Sequence, residues 1–377
     1  MKSTVKDSKI GSNELARALS LLRGALAAPS GNEDDPFARV ILRRSSNPVR
    51  GADATCLRLT AADLVGSDEQ VRDRLREKVR ACFAGVRATT VSVDNGAAFD
   101  VVKNELTMAR PLENKVALVT GAAGAIGAGI CKLLLEKGCR VVATDLVQDS
   151  LNKLVGELSA LAPDRVIGVP LDVTDKDSVA AGFAGAAAAW GGVDIVVVNA
   201  GIALVASLMD MDPEAFRKLE RVNVDGTLLT LAEAGRWMCR QGSGGDIVVI
   251  STKNVFAPGA QFGAYSATKA ASHQLARIAS LELAPFGIRV NMVAPDAVFS
   301  EGDRKSGLWA EVGPSRMRAR GLDEKGLEEY YRNRNLLKAR VTARHVANAA
   351  LFFVTRQTPT TGATIPVDGG LPDATPR

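Results

Sequence analysis

Tyr265 and Lys269 stand four residues apart in the run Ala264-Tyr265-Ser266-Ala267-Thr268-Lys269-Ala270. Small residues there favour a helix, and i, i+4 spacing puts the phenol and the ammonium on one face of it. A phenol with a pKa of about 10 is a poor base at neutral pH, but an adjacent cation stabilises the phenolate. Lowering that pKa by ~3 units takes roughly 4 kcal/mol of differential stabilisation, which one ammonium supplies only in a partly desolvated cleft. The pair could accept a proton from a substrate hydroxyl, and it could equally be a solvated surface pair. Whether other elements build a cleft around it decides between the two.

Such elements are written upstream. Residues 115–120 form a short apolar run, followed by Thr120-Gly121-Ala122-Ala123-Gly124-Ala125-Ile126-Gly127 and a helical stretch to about residue 137. Glycines at a strand-to-helix turn let backbone N–H groups approach a pyrophosphate, whose charge the helix N-terminus favours. A second strand, 140–144, runs into Asp145, where a carboxylate can accept hydrogen bonds from ribose hydroxyls and repels a 2′-phosphate. Leu146 follows instead of Arg or Lys, which favours NAD over NADP. Further on, Ile195–Val198 is continuously apolar, as a strand buried on both faces must be, and feeds Asn199-Ala200-Gly201.

In this order and spacing the motifs resemble those of the short-chain dehydrogenase/reductase family, over roughly residues 114–370. The resemblance implies one doubly wound α/β domain with a seven-stranded parallel Rossmann-type sheet, residues 114–377, after an appendage of residues 1–113. It implies a nicotinamide cofactor held by Gly121, Ala125, Ile126, Gly127, Asp145, Leu146, Asp172, Val173, Asn199, Ala200 and Gly201, with Tyr265, Lys269, Pro295, Asp296 and Val298 at the nicotinamide end. Asn199 mainly supports the sheet in that family, and Asp172 holds the adenine amine or fixes its own loop.

Four residues carry the implied chemistry. Tyr265 as phenolate takes the alcohol proton while hydride leaves the same carbon, and Thr252 holds the developing carbonyl oxygen. Lys269 depresses the tyrosine pKa and binds the nicotinamide ribose, and Asn223 bends its helix and holds a water in a proton relay. The partners implied are a small alcohol or carbonyl and further copies of the chain, as a dimer or tetramer built on the long helices near Asn223 and Tyr265. No metal is implied.

Several positions depart from the family pattern. Ala125 replaces the middle glycine of the phosphate turn, which helical backbone angles would tolerate. The catalytic hydroxyl, thirteen residues before the tyrosine, falls on Thr252 where serine is usual, with Ser251 beside it as the alternative; a threonine hydroxyl still donates, though its methyl stiffens χ1. Pro295-Asp296-Ala297-Val298 stands where Pro-Gly is common. Together with Lys253-Asn254, Leu327-Glu328-Glu329-Tyr330-Tyr331-Arg332 and Leu336-Leu337-Lys338, this resembles the dehydrogenase portion of bifunctional rhamnulose-phosphate aldolase/lactaldehyde dehydrogenases, and also sorbitol-6-phosphate dehydrogenases. Residues 297–335 are the expected substrate lid; Arg304, Lys305, Arg316, Arg318 and Arg320 suit it to a phosphate or carboxylate, and equally to an exposed charged helix. His273, one turn beyond Lys269, and His345 are read as structural.

The first 113 residues carry no chemical motif. Ser12 is a candidate cap for a helix to about residue 26, Asp34-Asp35-Pro36 reads as a turn or helix start, and Val71, Leu75, Val79, Cys82 and Phe83 repeat at helical spacing. A short strand over 89–93 should precede the turn-forming Asp94-Asn95-Gly96. The segment is expected to be mainly helical, for packing or oligomerisation, with a regulatory or substrate-gating role as the alternative. Basic residues before 15–28 superficially suggest a secretion signal, but Glu14, Arg17 and Arg23 interrupt any apolar core.

Bulk properties fit a soluble globular protein. Its 377 residues suffice for one large core, and a scattered formal charge of +5 gives no reason to expect nucleic acid. The charge-poor stretch 178–209 is divided by Gly191-Gly192 and Asp194, so no membrane span is expected. Cys56, Cys82, Cys131, Cys139 and Cys239 form no C-x-x-C pair, and with two histidines a zinc site is not expected; reduced, buried thiols point to the cytoplasm. The leading reading is an NAD-dependent oxidoreductase of a secondary or polyol hydroxyl. An NADPH-dependent carbonyl reductase and a nucleotide-binding scaffold without turnover remain open.

Overall fold

The computed structural model describes residues 10–46, 56–82, 89–94, 97–301 and 304–374. Helix α1 (Ser12–Leu26) opens the appendage; extended Gly11 precedes it without a side-chain cap, so Ser12 is its first helical residue and not the expected cap. A hairpin of β1 (Ala28–Pro29) and β2 (Phe37–Ala38) follows, turning through Asp34-Asp35-Pro36. Strands β3 (Ile41–Arg44), β4 (Cys56–Leu59), β5 (Thr90–Val93) and β6 (Ala98–Val102) then form a sheet in the order β3-β6-β5-β4. Only β4 and β5 pair in parallel, and α2 (Asp68–Cys82) is the crossover between them. The segment expected to be mainly helical therefore holds a sheet as well. Its core joins Leu19 and Leu22 of α1 to Leu57, Leu59, Val91 and Phe99 of the strands and to Val71 and Leu75 on the expected face of α2. Phe83, Asn95 and Gly96 lie outside the described residues.

The rest is the expected doubly wound sheet. Seven parallel strands run in the order β15-β12-β11-β10-β7-β8-β9: β7 (Val116–Val119), β8 (Arg140–Asp145), β9 (Val166–Pro170), β10 (Ile195–Val198), β11 (Gly245–Ile250), β12 (Ile288–Pro295) and β15 (Thr364–Val367). Helices α3 (Ala125–Glu136), α4 (Gln148–Leu161) and α11 (Ala343–Val354) cover one face. Helices α5 (Lys176–Trp190), α7 (Gly226–Gln241) and α8 (Gly263–Leu283) cover the other. Central strands covered on both sides must be apolar throughout, and β7 and β10 are fully buried along their length. Short α6 (Pro213–Glu220) leads through a π-turn, Arg221–Asp225, into α7. After β12, the hairpin β13 (Ser300–Glu301) and β14 (Arg304–Lys305) and helices α9 (Gly307–Arg320) and α10 (Glu324–Asn333) lie over the carboxyl edge of the sheet.

The appendage docks on the opposite, amino-terminal edge of the sheet through buried charges. Arg23 donates to Asp194 at 2.6 and 3.1 Å and to the Asn114 carbonyl at 3.0 Å, Arg39 approaches Asp194 at 3.1 Å, and the Val116 N–H donates to Asp194 at 2.8 Å. Asp35 pairs with Arg39 (2.6 Å), Lys115 (2.9 Å) and Arg356 (3.3 Å), and Arg356 also holds Asp246 at 2.9 Å. Close packing completes the joint: a Cβ added to Gly24 of α1 would lie 1.8 Å from the Gln241 carbonyl oxygen at the end of α7. The appendage thus lies at the edge of the sheet away from the carboxyl ends of its strands.

Candidate active site

The carboxyl ends of the strands frame a cleft of about 890 Å³, as expected where connections to the helices diverge. Gly121 has φ +60°, and a Cβ there would meet the Ala200 Cα at 2.8 Å, so only glycine allows the phosphate turn to lie against the strand loop beside it. Gly124 is the extended residue before α3, and Ala125 is the first residue inside the helix, buried at 2 % exposure. The expected tolerance for alanine holds because its backbone is helical. No side chain caps α3, so its first-turn amides are left to face the cleft.

Asp145 sits at the end of β8, where its carboxylate accepts from the Ala123 N–H (2.9 Å) and the Val147 N–H (3.2 Å). These bonds fix the carboxylate beside the phosphate turn. Asp172 accepts from the N–H and hydroxyl of Thr174, both at 2.8 Å, and so fixes its loop. Asn199 donates to the carbonyls of Thr120 and Gly121, both at 2.9 Å, tying β10 to the turn as its supporting role requires. Leu146, Ile126, Gly127, Val173, Ala200, Gly201, Pro295, Asp296 and Val298 line the same cleft. The site thus gathers every cofactor position the sequence indicates, and its bare helix terminus, glycine turn and strand-end acid fit a dinucleotide.

Tyr265 and Lys269 enter from α8, both nearly buried, and Thr252 faces them from the end of β11. The Thr252 side chain lies close enough to the Tyr265 phenol to favour its ionised form, and its oxygen accepts from the Asn254 N–H at 3.3 Å. Ser251 also lines the cleft, but its hydroxyl is engaged by His273 Nδ1 at 2.9 Å. That contact separates the two candidate hydroxyls and gives His273 the structural role expected of it. His345 likewise closes a capping box with Thr342 at the start of α11.

The electrostatics differ from expectation. Burial pushes the Tyr265 phenol up to about 12, with the Thr252 side chain opposing it, while burial lowers the Lys269 ammonium to about 8. Lys269 does not depress the phenol here, because desolvation penalises both charged forms and its Nζ donates to the Ile250 carbonyl at 2.7 Å. The water relay through Asn223 also finds its atoms engaged. The amide exchanges hydrogen bonds with Ile202 (both 2.9 Å) and donates to Thr268 (3.0 Å), and the carbonyl accepts hydroxyls of Thr227 (2.7 Å) and Ser272 (2.5 Å). Asn223 sits at the centre of the π-turn that links α6 to α7.

The segment after β12 contributes an aromatic cluster and a cation that motif reading gave no role. Phe299 stacks on Trp309 (4.4 Å between centroids), Tyr331 packs edge-on to both, and the Arg334 guanidinium lies 4.1 Å over the Tyr331 ring. Arg334 also donates to Asp296 at 2.5 Å, giving the unusual carboxylate its counter-charge. No periodic signal announces Arg334; the one clue is that Asp296, 6 % exposed at its side chain, demands a cation.

Residues 115–310 match the family model described as short chain dehydrogenase. The chain is 37 % identical over 278 residues to an uncharacterized oxidoreductase, YuxG, of Bacillus subtilis; the match covers 72 % of this chain and spans only 40 % of that relative's length. It is 33 % identical to the mitochondrial (-)-isopiperitenol/(-)-carveol dehydrogenase of Mentha piperita, over 70 % of this chain and 95 % of the mint enzyme. Among solved structures, the sorbitol-6-phosphate 2-dehydrogenase SrlD of Erwinia amylovora superposes with a TM-score of 0.63 at 28 % identity, covering 68 % of this chain and 98 % of that one.

Proposed function

Because the chain belongs to the short chain dehydrogenase family, whose members are NAD(P)-dependent oxidoreductases of alcohols and carbonyls, we propose that it is an NAD-dependent dehydrogenase of a secondary or polyol-type alcohol. The observation that carries this reading is the Thr252–Tyr265 hydroxyl pair in the same cleft as the glycine turn and Asp145. The bifunctional aldolase/dehydrogenase pattern in the sequence and the sorbitol-6-phosphate 2-dehydrogenase likeness together support a sugar-type alcohol. A cytoplasmic setting is supported by five cysteines that are all free thiols, and no helix among the described residues is long and apolar enough to cross a membrane.

The first turn of α3 would hold the pyrophosphate, Asp145 the adenosine ribose and Lys269 the nicotinamide ribose. When bound, the nicotinamide supplies the hydride acceptor and a positive charge beside the phenol. Thr252 orients the substrate oxygen by donating to it, and Tyr265, with its proton lost, accepts the alcohol proton. Trp309 and Tyr331, backed by Phe299, form an apolar wall of the cleft that would exclude water from a bound substrate. Formation of NADH on mixing the protein with NAD and a panel of polyols and polyol phosphates tests the reading; a panel-wide absence of NADH despite bound NAD would favour a scaffold instead.

Cofactor choice rests on Asp145. Removing its carboxylate as Asp145→Ala withdraws one set of charged hydrogen bonds and one repulsion, each about 1.5–3 kcal/mol at most. The NAD-to-NADP ratio of kcat/KM is expected to fall by at least about tenfold; an unchanged ratio would remove Asp145 from the selection and leave the NADPH-dependent alternative standing.

Self-association is proposed through α7 and α8. Leu228, Ile278 and Leu281 are exposed along these helices, Leu281 at 75 %. A hollow of about 550 Å³ between α6 and α8 beside them is lined by Arg217, Glu220 and Arg221 and holds none of the four expected catalytic residues. Light scattering should return a dimer or tetramer, and a monomer at micromolar concentration would contradict this.

A further inference from the structure

Five basic residues of the lid suit an anion in the sequence, and the structure sorts them. Arg304 donates to the Ala123 carbonyl and to Glu157, Lys305 pairs with Glu324, Arg318 donates to Ser315, and Arg320 lies over Tyr330. Arg316 differs. It is 8 % exposed, lines the cleft, and makes no hydrogen bond or ion pair with any described residue; its Nε is buried without an acceptor. The guanidinium rests 4.6 Å over the Phe262 ring, and Phe262 in turn packs against Tyr265 at 6.2 Å, so the cation stands one ring away from the reacting phenol.

A buried guanidinium without an acceptor is costly unless something fills its fork of donors. The acids lining this end of the cleft do not: Asp296 is taken by Arg334, and Glu311 is exposed. Lys253, donating to the Ala257 carbonyl, adds a second cation to the same wall. The adenosine-side acids, Asp145 and Asp172, are bonded within their own loops. Planar, bidentate recognition of phosphate or carboxylate is what an arginine so placed offers.

We propose that the alcohol substrate carries a phosphate or carboxylate and that Arg316 receives it, fixing the hydroxyl-bearing carbon beside Tyr265. The proposal rests on the oxidoreductase reading above and adds the charge of the substrate. Phe262 supports the guanidinium from one side, and Lys253 supplies long-range attraction.

Binding is measured by calorimetry on the Tyr265→Phe protein saturated with NAD, so that turnover does not consume the ligand. Two matched pairs are titrated: sorbitol 6-phosphate against sorbitol, and 3-hydroxybutyrate against 2-butanol. The charged member of at least one pair is expected to bind at least about tenfold tighter, about 1.4 kcal/mol, and which pair does so separates phosphate from carboxylate. Adding Arg316→Met, which keeps the stem over Phe262, should collapse that ratio by about tenfold, while Arg316→Lys retains part of it; Arg316→Gln serves if the methionine variant fails to fold. Charged ligands that bind no tighter than their neutral partners, or do not bind at all, overturn the proposal, as does a ratio indifferent to Arg316. Failure of the oxidoreductase reading shows differently, as wild-type protein that binds NAD and the charged alcohol yet forms no NADH.

Discussion

Replacing Tyr265 with phenylalanine is expected to lower kcat for alcohol oxidation by about 10³-fold, within the range a positioned general base contributes. The ring is retained, so its packing against Phe262 and the helix that carries Lys269 should survive. NAD affinity should therefore change only several-fold, which distinguishes a lost base from a lost fold. The pH profile carries further information. Burial holds the phenol up at about 12, so little phenolate exists at neutral pH until the cofactor's charge lowers it. Oxidation by the wild type should rise as pH is raised above ~7, and the phenylalanine variant should lose that rise. Lys269, brought down to about 8, gives up its own proton over the same interval, so a downturn at higher pH would report the loss of the ammonium. Stopped-flow or steady-state absorbance of NADH across pH settles both points.

The second large effect concerns stability. Asp194→Ala should cost roughly 3–5 kcal/mol, because it strips the carboxylate from Arg23 and Arg39 and leaves both guanidinium groups buried at the joint between appendage and sheet. In the wild type, burial pushes the Asp194 carboxyl up, but Arg23 and Arg39, with the Val116 N–H, more than offset this and hold it below the usual carboxylate range. A carboxyl with a depressed folded-state pKa contributes stability that is complete above its unfolded pKa, about 4, and is lost as pH falls through the folded value. Wild-type melting temperature should therefore fall on acidification below ~4, while the alanine variant starts roughly 5 °C lower at neutral pH and loses less on acidification. Because Asp194 lies at the opposite edge of the sheet from the cleft, kcat at a temperature where the variant is folded should be nearly unchanged. Differential scanning calorimetry at neutral and acid pH, with activity in parallel, reads all three.

Much of the catalytic half was legible because its signals are local. The glycine turn, the strand-end Asp145 and the Tyr265–Lys269 pair each lie within a single turn or helix face, and the seven-stranded sheet was implied by the family resemblance that these motifs carry. Helix α2 was legible from its period in Val71 and Leu75, but Cys82, expected on the same buried face, lies exposed at the end of the helix, and of the five thiols expected to be buried only Cys131 and Cys139 are. The four-stranded sheet of the appendage was not, since β3 and β4 are short runs and β3 pairs with the distant β6 rather than with its neighbour in sequence. Nor was the ion network foreseeable: Arg23, Asp35, Asp194 and Arg356 meet across intervals of up to 321 residues. The preference for Thr252 over Ser251 came from spacing alone, whereas the hydrogen bond that holds the Ser251 hydroxyl to His273 needed coordinates. Among five basic lid residues, composition could not tell which one lacks a partner, because that depends on where Ala123, Glu157 and Phe262 fold to.

The most direct trial of hydride transfer in this cleft uses an alcohol deuterated at its carbinol carbon, drawn from whichever panel member is oxidised, with NAD and the wild-type protein. Mass spectrometry of the NADH formed should show one deuterium on the nicotinamide, and the same mixture with Tyr265→Phe should show almost none in the same time. NADH formed without the label, or labelled at an equal rate by the phenylalanine variant, would contradict the assignment of Tyr265 as the group that takes the proton while hydride leaves.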